Sequence, residues 1–156
     1  MTLPRLFVLA LLASTASAET PQVPPPAEMR PEAPPSTAIA LFAGVEDAWA
    51  ASDADRLASL VDTTSVRIAI KPGTPFTTAA TRVAVAFLLQ DQMRLVHTQS
   101  FQMTRFDCDR KRGFCRAVAL WTGDWGGRQG KRAVRVTLTA RPRASRWLLT
   151  EIRAED

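Results

Sequence analysis

The sequence predicts an α+β domain in which N-terminal helices pack on a curved antiparallel sheet. Two observations lead to this fold class. In the first half of the chain, apolar residues recur at three- and four-residue steps, which is typical of amphipathic helices. After residue 94, apolar and polar residues alternate in four long segments, which is typical of strands. A chain in which the helices come first and a strand meander follows favours an α+β fold, with the helices packed on one face of the sheet.

Three helices are predicted before the long strands. The first has Ser36 as its N-cap and carries a buried face of Ile39, Leu41, Phe42, Val45, Ala48 and Trp49. The second is short and begins at Ser52 or Asp53, with Asp53 as a capping side chain. The third runs from about residue 78 to residue 92 and is expected to bury Val83, Phe87 and Leu88.

The strands are predicted from alternation and from turn residues. A short strand over 66–70 ends at the turn Pro72-Gly73, and residues 74–77 form a second short strand. The first long strand covers 94–107, and Phe106 falls out of phase there, which predicts a bulge. One face of this strand is expected to carry Leu95, His97, Phe101 and Met103. Three further strands are predicted over 114–122, 132–140 and 146–153.

The N-terminal residues predict export. Arg5, the apolar run over 6–13 and the small residues Ala16 and Ala18 form the pattern of a secretory signal peptide over 1–18. The apolar run is shorter than a membrane span of about 20 residues. Residues 19–35 contain seven prolines and predict an extended linker, so that 36–156 forms a single domain. We therefore expect a periplasmic or secreted protein that does not span a membrane.

The two cysteines, Cys108 and Cys115, are predicted to form a disulfide across a hairpin. The six residues between them read as a tight turn in which Gly113 can adopt a positive φ. Directly opposed positions on two strands bring their Cβ atoms close enough to bridge. Zinc or redox chemistry is the alternative, but the chain has one His and no third Cys, and redox pairs usually have two intervening residues.

With this order of elements, the chain resembles the nuclear-transport-factor-2-like superfamily, also described as cystatin-like. The resemblance rests on the element order over 38–154 and on three local patterns, at 51–60, 66–70 and 147–153. It implies a cone-shaped fold with a pocket between helices and sheet. Enzymatic members resemble ketosteroid isomerase or scytalone dehydratase and place an Asp or His inside that pocket. The same fold also serves ligand-binding and interaction modules.

The pocket that the resemblance implies would be lined by His97, Gln99, Trp121 and Arg67. His97 is the one histidine of the chain, so it is the candidate general acid or base, with Asp62 as a second candidate. The alternative for His97 is a hydrogen-bonded structural residue or a pocket rim. The alternative for Asp62 is a capping or turn role between helix and strand. We expect no metal and no cofactor, since nucleophilic triads, zinc motifs and phosphate loops are missing from the sequence.

Charge is unevenly distributed along the chain. Residues 19–91 hold five Lys or Arg against nine Asp or Glu, whereas residues 92–156 hold fourteen against six. Alternate turns of a meander lie at the same end of a sheet, so two turns should bring Arg110, Lys111, Arg112, Arg141, Arg143 and Arg146 together. Trp125, in a glycine-rich turn, is a further candidate contact residue. Such residues suit an anionic surface or an acidic partner, and an exported protein is not expected to bind nucleic acid.

Taken together, the sequence favours an exported non-enzymatic binding or interaction module of the cell envelope. Its ligand would be a small apolar molecule or an envelope protein, and it could form a homodimer through an exposed sheet face. The alternative is a periplasmic lyase or isomerase that uses His97 as general acid or base.

Overall fold

The structure is a computed structural model that describes residues 37–64, 66–127 and 129–156. The predicted signal peptide and linker lie outside the described residues. The element order is α1 (Ala38–Ala50), α2 (Ala54–Ser59), β1 (Val66–Ala69), β2 (Thr77–Ala79), α3 (Arg82–Leu95), β3 (His97–Asp109), β4 (Phe114–Asp124), β5 (Lys131–Arg143) and β6 (Arg146–Glu155). Among the described residues, no helix is long and apolar enough to cross a membrane.

The six strands form one curved, unclosed sheet in the order β2-β1-β6-β5-β4-β3. Strands β3 to β6 form the predicted antiparallel meander. Strand β1 pairs in parallel with β6, so the sheet is mixed. The helices and the buried side chains lie on one face, which we call the inner face; the opposite face is the outer face. The predicted α+β class is confirmed.

The helix ends follow from side-chain caps. Thr37 Oγ1 accepts a hydrogen bond from the backbone N–H of Ala40, so α1 begins one residue later than predicted. Asp53 Oδ1 accepts from the N–H of Arg56 at 2.9 Å, which confirms the predicted cap of α2. The buried face of α1 is as expected except for Ile39, which is 69% exposed.

The predicted buried face of α3 is wrong for two of its three residues. Val83 and Phe87 are exposed, whereas Leu88 is half-buried against the core. The buried residues of α3 are Val85, Leu89 and Met93. Residues 83–89 are all apolar, so the helical period has no readable phase there and packing against α2 decides which side is covered. The short strand β2 also differs from the prediction, because the N–H of Thr74 donates to the carbonyl oxygen of Lys71 and closes a turn at 71–74.

Strand β3 contains two irregularities in its pairing with β4, between Thr98 and Ser100 and between Met103 and Arg105. The second confirms the bulge predicted from Phe106. The first reverses the alternation, so that His97 and Phe101 lie on opposite faces, whereas the sequence predicted one face for both. The strand also starts later than predicted, because α3 continues to Leu95.

Candidate functional site

The space between α1 and the inner face is filled by aromatic rings. The rings of Trp49 and Phe101 stack at 4.5 Å between centroids, and the ring of Trp121 meets Trp49 edge-on at 5.3 Å. Trp49 and Trp121 are fully buried, and Phe101 is nearly so. These side chains occupy the interior in which the resemblance implied a pocket.

The structure does not gather the four predicted pocket residues around one cavity. His97 is exposed at the start of edge strand β3, opposite Asp124, and Gln99 is the exposed extra residue of the first bulge. Trp121 lies inside and its indole N–H donates to Thr98 Oγ1 at 3.1 Å. Arg67 is exposed on the outer face, where its guanidinium pairs with Glu151.

Asp62, the second catalytic candidate, lies in a structural hydrogen-bond network. Its side chain is buried, its Oδ1 accepts from the N–H and hydroxyl of Thr64, and its Oδ2 accepts from Arg143 Nε at 2.6 Å. Burial by itself raises the pKa of the Asp62 carboxyl, but the bonds from Thr64 and Arg143 and the charge of Arg143 outweigh it, so the pKa lies below its ordinary value. Asp62 is therefore held ionised.

The Asp62–Arg143 pair joins the connection after α2 to the end of β5. Arg143 belongs to the basic residues predicted to form an interaction surface, and its Nε is engaged internally while about half of its side chain stays exposed. The two residues are 81 positions apart in the chain. No local pattern signals a pair at that separation, which is why the sequence did not predict it.

The predicted disulfide is present. Cys108 and Cys115 are directly opposed in the β3–β4 ladder, and their Sγ atoms are 2.01 Å apart. In the turn beyond them, Asp109 Oδ1 accepts from the N–H of Arg112 at 3.0 Å, and Gly113 has a φ of 64°. This turn therefore combines a covalent bridge, an Asp cap and a glycine in the left-handed region.

The two basic turns lie side by side, as the meander predicted. Arg141 Nη1 donates to the carbonyl oxygen of Arg112 at 3.4 Å, which joins the β3–β4 turn to the end of β5. The guanidinium groups of Arg116 and Arg141 stand 5.7 and 5.6 Å from the centre of the Phe114 ring. We call this region the basic end; it comprises Arg110, Lys111, Arg112, Arg116, Arg141, Arg143 and Arg146.

Sequence reasoning missed Arg116. It lies two residues after Phe114 on the same strand and therefore shares its face. Within the basic end, Arg143 pairs with Asp62 and Arg112 approaches Asp109 at 3.7 Å. For the other members, the described residues provide no ion-pair partner; these are Arg110, Lys111, Arg116, Arg141 and Arg146.

Trp125, the remaining predicted contact residue, is half-buried at the other end of the sheet. Its ring packs against Trp121 at 4.8 Å between centroids, and the Arg132 guanidinium lies 4.6 Å from its centre. Arg132 in turn pairs with Asp156. The indole N–H groups of Trp125 and Trp49 are buried and have no acceptor among the described residues.

The outer face holds a shallow groove that the sequence did not predict. It has a volume of about 720 Å³ and lies between the turn at 73–75 and the ends of β5 and β6. Its charges are mixed, since Arg135 and Arg153 both pair with Glu155, at 3.5 and 3.0 Å. In the part of the chain that the structure describes, no cluster of three or more His, Cys, Asp or Glu side chains could hold a metal ion.

Comparison with known proteins gives structural relatives only. No family model matches the chain, and no curated protein matches it either. A putative calcium/calmodulin-dependent protein kinase type II association domain from Thiobacillus denitrificans has a TM-score of 0.61 at 17% identity, over 80% of this chain and 98% of that one.

Two other solved structures that resemble this chain are described by their fold or family. A hypothetical protein with a ketosteroid isomerase-like fold from Catenulispora acidiphila, in complex with trimethylamine, has a TM-score of 0.58 at 13% identity, over 74% of this chain and 84% of that one. A putative dehydratase from the nuclear-transport-factor-2-like family of Streptomyces avermitilis has a TM-score of 0.53 at 17% identity, over 74% and 89%. Element order, sheet order and these likenesses agree: the chain has the nuclear-transport-factor-2-like fold.

Proposed function

We propose that this chain is an exported, non-enzymatic interaction module of the cell envelope that binds a protein partner through its surface. The observation that carries the proposal is the aromatic stack of Trp49, Phe101 and Trp121, which occupies the interior of the fold. A filled interior leaves the surface for binding. The disulfide and the predicted signal peptide suit an exported domain.

The outer face is the surface that we assign to the partner. On β4 this face carries Leu120, which is 43% exposed, and the half-buried Val118. Threonines and arginines surround these two residues on neighbouring strands, with Thr137 opposite Val118 and Arg135 opposite Leu120. An apolar centre with a polar rim is the usual composition of a protein interface. A second copy of this chain is one candidate partner, and a solved relative is named an association domain.

A small ligand is the second candidate, and one observation favours it. The buried N–H groups of Trp49 and Trp125 have no acceptor among the described residues, and buried donors usually have one. A ligand with a hydrogen-bond acceptor and an apolar body could accept hydrogen bonds from these two N–H groups if the tryptophan rings moved apart. The third reading, a lyase or isomerase, depends on His97, which is exposed at the sheet edge; no contact in the described residues supports it.

Native mass spectrometry of the mature protein, purified from a periplasm, separates the first two candidates. We expect the mass of an unliganded monomer or dimer, because the interior is already packed. A retained small molecule would contradict the proposal and support the second candidate.

Sedimentation of Leu120→Glu tests whether the outer face joins two copies. If the wild-type protein is a dimer, this variant should be a monomer. Phe87→Glu is the matched control, since Phe87 is also an exposed apolar residue but lies on α3. A dimer that survives Leu120→Glu would remove the outer face as its interface.

A further inference from the structure

We propose that the basic end docks on an anionic lipid surface. This goes beyond the proposed function, because it concerns another part of the molecule and another class of partner. It would place the outer face, and the protein partner assigned to it, beside a membrane.

Most of the cations of the basic end are not paired with a carboxylate among the described residues. Five of its seven cations have no ion-pair partner among the described residues, and the five are exposed. Two carboxylates lie close to them on β3, of which Asp109 caps the turn and Asp107 faces Arg116 across the ladder. Cations collected at one end without matching carboxylates create a local positive potential.

The cations of the basic end are spread over two neighbouring turns. This arrangement suits the flat layer of headgroups on a lipid surface better than an extended acidic peptide. Arg110, Lys111 and Arg112 lie in the β3–β4 turn, and Arg146 follows the β5–β6 turn. Arg141 Nη1 contacts the carbonyl oxygen of Arg112, so the two turns are neighbours. The groove on the outer face lies at the opposite end of β6, so it does not supply a cleft here. Long arginine and lysine side chains on protruding turns can reach lipid headgroups together.

Both turns are fixed to the domain. The disulfide lies immediately behind the β3–β4 turn, and the Asp62–Arg143 pair fixes the β5–β6 turn. Turns whose backbone is already ordered lose little backbone conformational entropy on binding. This property distinguishes the basic end from loosely held surface charge.

Helix α1 runs opposite to β3, with its first turn toward the basic end. Its residues meet β3 in reverse order, because Phe42 contacts Phe106 whereas Trp49 stacks on Phe101. The first turn of α1 is therefore directed toward the β3–β4 turn.

Co-sedimentation of the mature protein with lipid vesicles tests the proposal. We expect binding to vesicles that contain a third phosphatidylglycerol, weak binding to pure phosphatidylcholine, and loss of binding as salt is raised. Each basic residue near an anionic surface contributes about fivefold in affinity, so Arg110→Ser, Lys111→Ser and Arg112→Ser together should weaken binding about a hundredfold. The capping bond to the Arg112 N–H and the bond from Arg141 use backbone atoms of Arg112, so the turn should persist.

The matched control removes three exposed cations far from this end, with Lys71→Ser, Arg94→Ser and Lys131→Ser. Its net charge equals that of the turn variant, but its binding should fall less than tenfold. Equal losses in the two variants would overturn the proposal, since net charge alone would then explain binding. Failure of the wild-type protein to bind anionic vesicles, while it binds poly-glutamate, would also overturn it in favour of an acidic protein. Neither result depends on whether the interior holds a ligand.

Discussion

The two ends of the sheet use their side chains differently. At the end where β4 finishes, the ring of Trp121 packs against both Trp49 and Trp125, and the Arg132 guanidinium lies over the Trp125 ring. At the basic end, two turns carry cations of which most contact no carboxylate among the described residues. Buried aromatic contacts contribute to stability, whereas exposed unpaired charge contributes little to it. The aromatic end should therefore dominate folding, and the basic end should matter mainly for binding.

The largest expected effect is at the aromatic end. Trp121→Ala removes a fully buried indole, its contacts with two other tryptophans and its hydrogen bond to Thr98. The free energy of unfolding should fall by about 4 kcal/mol, measured by urea denaturation. Trp147→Ala is the matched control, since Trp147 is half-buried beside the basic turn, and it should cost about half as much or less. Equal losses would show that the two ends do not differ in packing.

The second effect concerns the covalent bridge at the basic end. Replacement of both cysteines, Cys108→Ser with Cys115→Ser, should lower the free energy of unfolding by about 2.5 kcal/mol, because the bridge limits the unfolded chain through a loop of about eight residues. A wild-type protein treated with a dithiol should lose a similar amount. If the double variant were as stable as the wild type, the bridge would serve only to hold the turn in place.

The third effect depends on pH. Asp62→Asn removes the charge that pairs with Arg143, and should cost about 2 kcal/mol near neutral pH. The folded-state pKa of Asp62 is below its ordinary value of 3.8. Its stabilisation is thus present above about pH 4 and is lost as pH falls through the folded-state pKa. The stabilities of wild type and variant, followed by denaturation at several pH values, should begin to converge below about pH 4 and should meet once the pH is below the folded-state pKa of Asp62. A constant difference would show that the carboxylate charge is not what stabilises this connection.

The smallest effect lies outside both ends, on α3. Phe87 is 68% exposed, so Phe87→Ser should change the free energy of unfolding by about 0.5 kcal/mol or less. Leu89→Ala, two residues further along the same helix, should cost about 3 kcal/mol because Leu89 is fully buried. A large loss for Phe87→Ser would mean that another surface covers this side of α3 in solution.

Local sequence patterns were sufficient for several features. The cap at Asp53, the turn at Gly113 and the pairing of Cys108 with Cys115 each depend on residues within a few positions of one another. The bulge before Phe106 could be predicted because it interrupts the alternation of apolar and polar residues along the strand. The buried face of α3 could not be predicted, since an unbroken run of apolar residues does not indicate which side of the helix is covered. The direction of His97 depended on the extra residue Gln99, which has no signature of its own.

The sequence by itself determined the order of the elements, the antiparallel meander, the disulfide and the convergence of two basic turns, because each follows from local periodicity, turn chemistry or the geometry of neighbouring strands. Only the tertiary structure decided that aromatic rings fill the interior, that Asp62 pairs with Arg143 and that His97 lies outside. These features depend on contacts between residues far apart in the chain. Their energies are set by packing and burial, which a linear pattern does not encode.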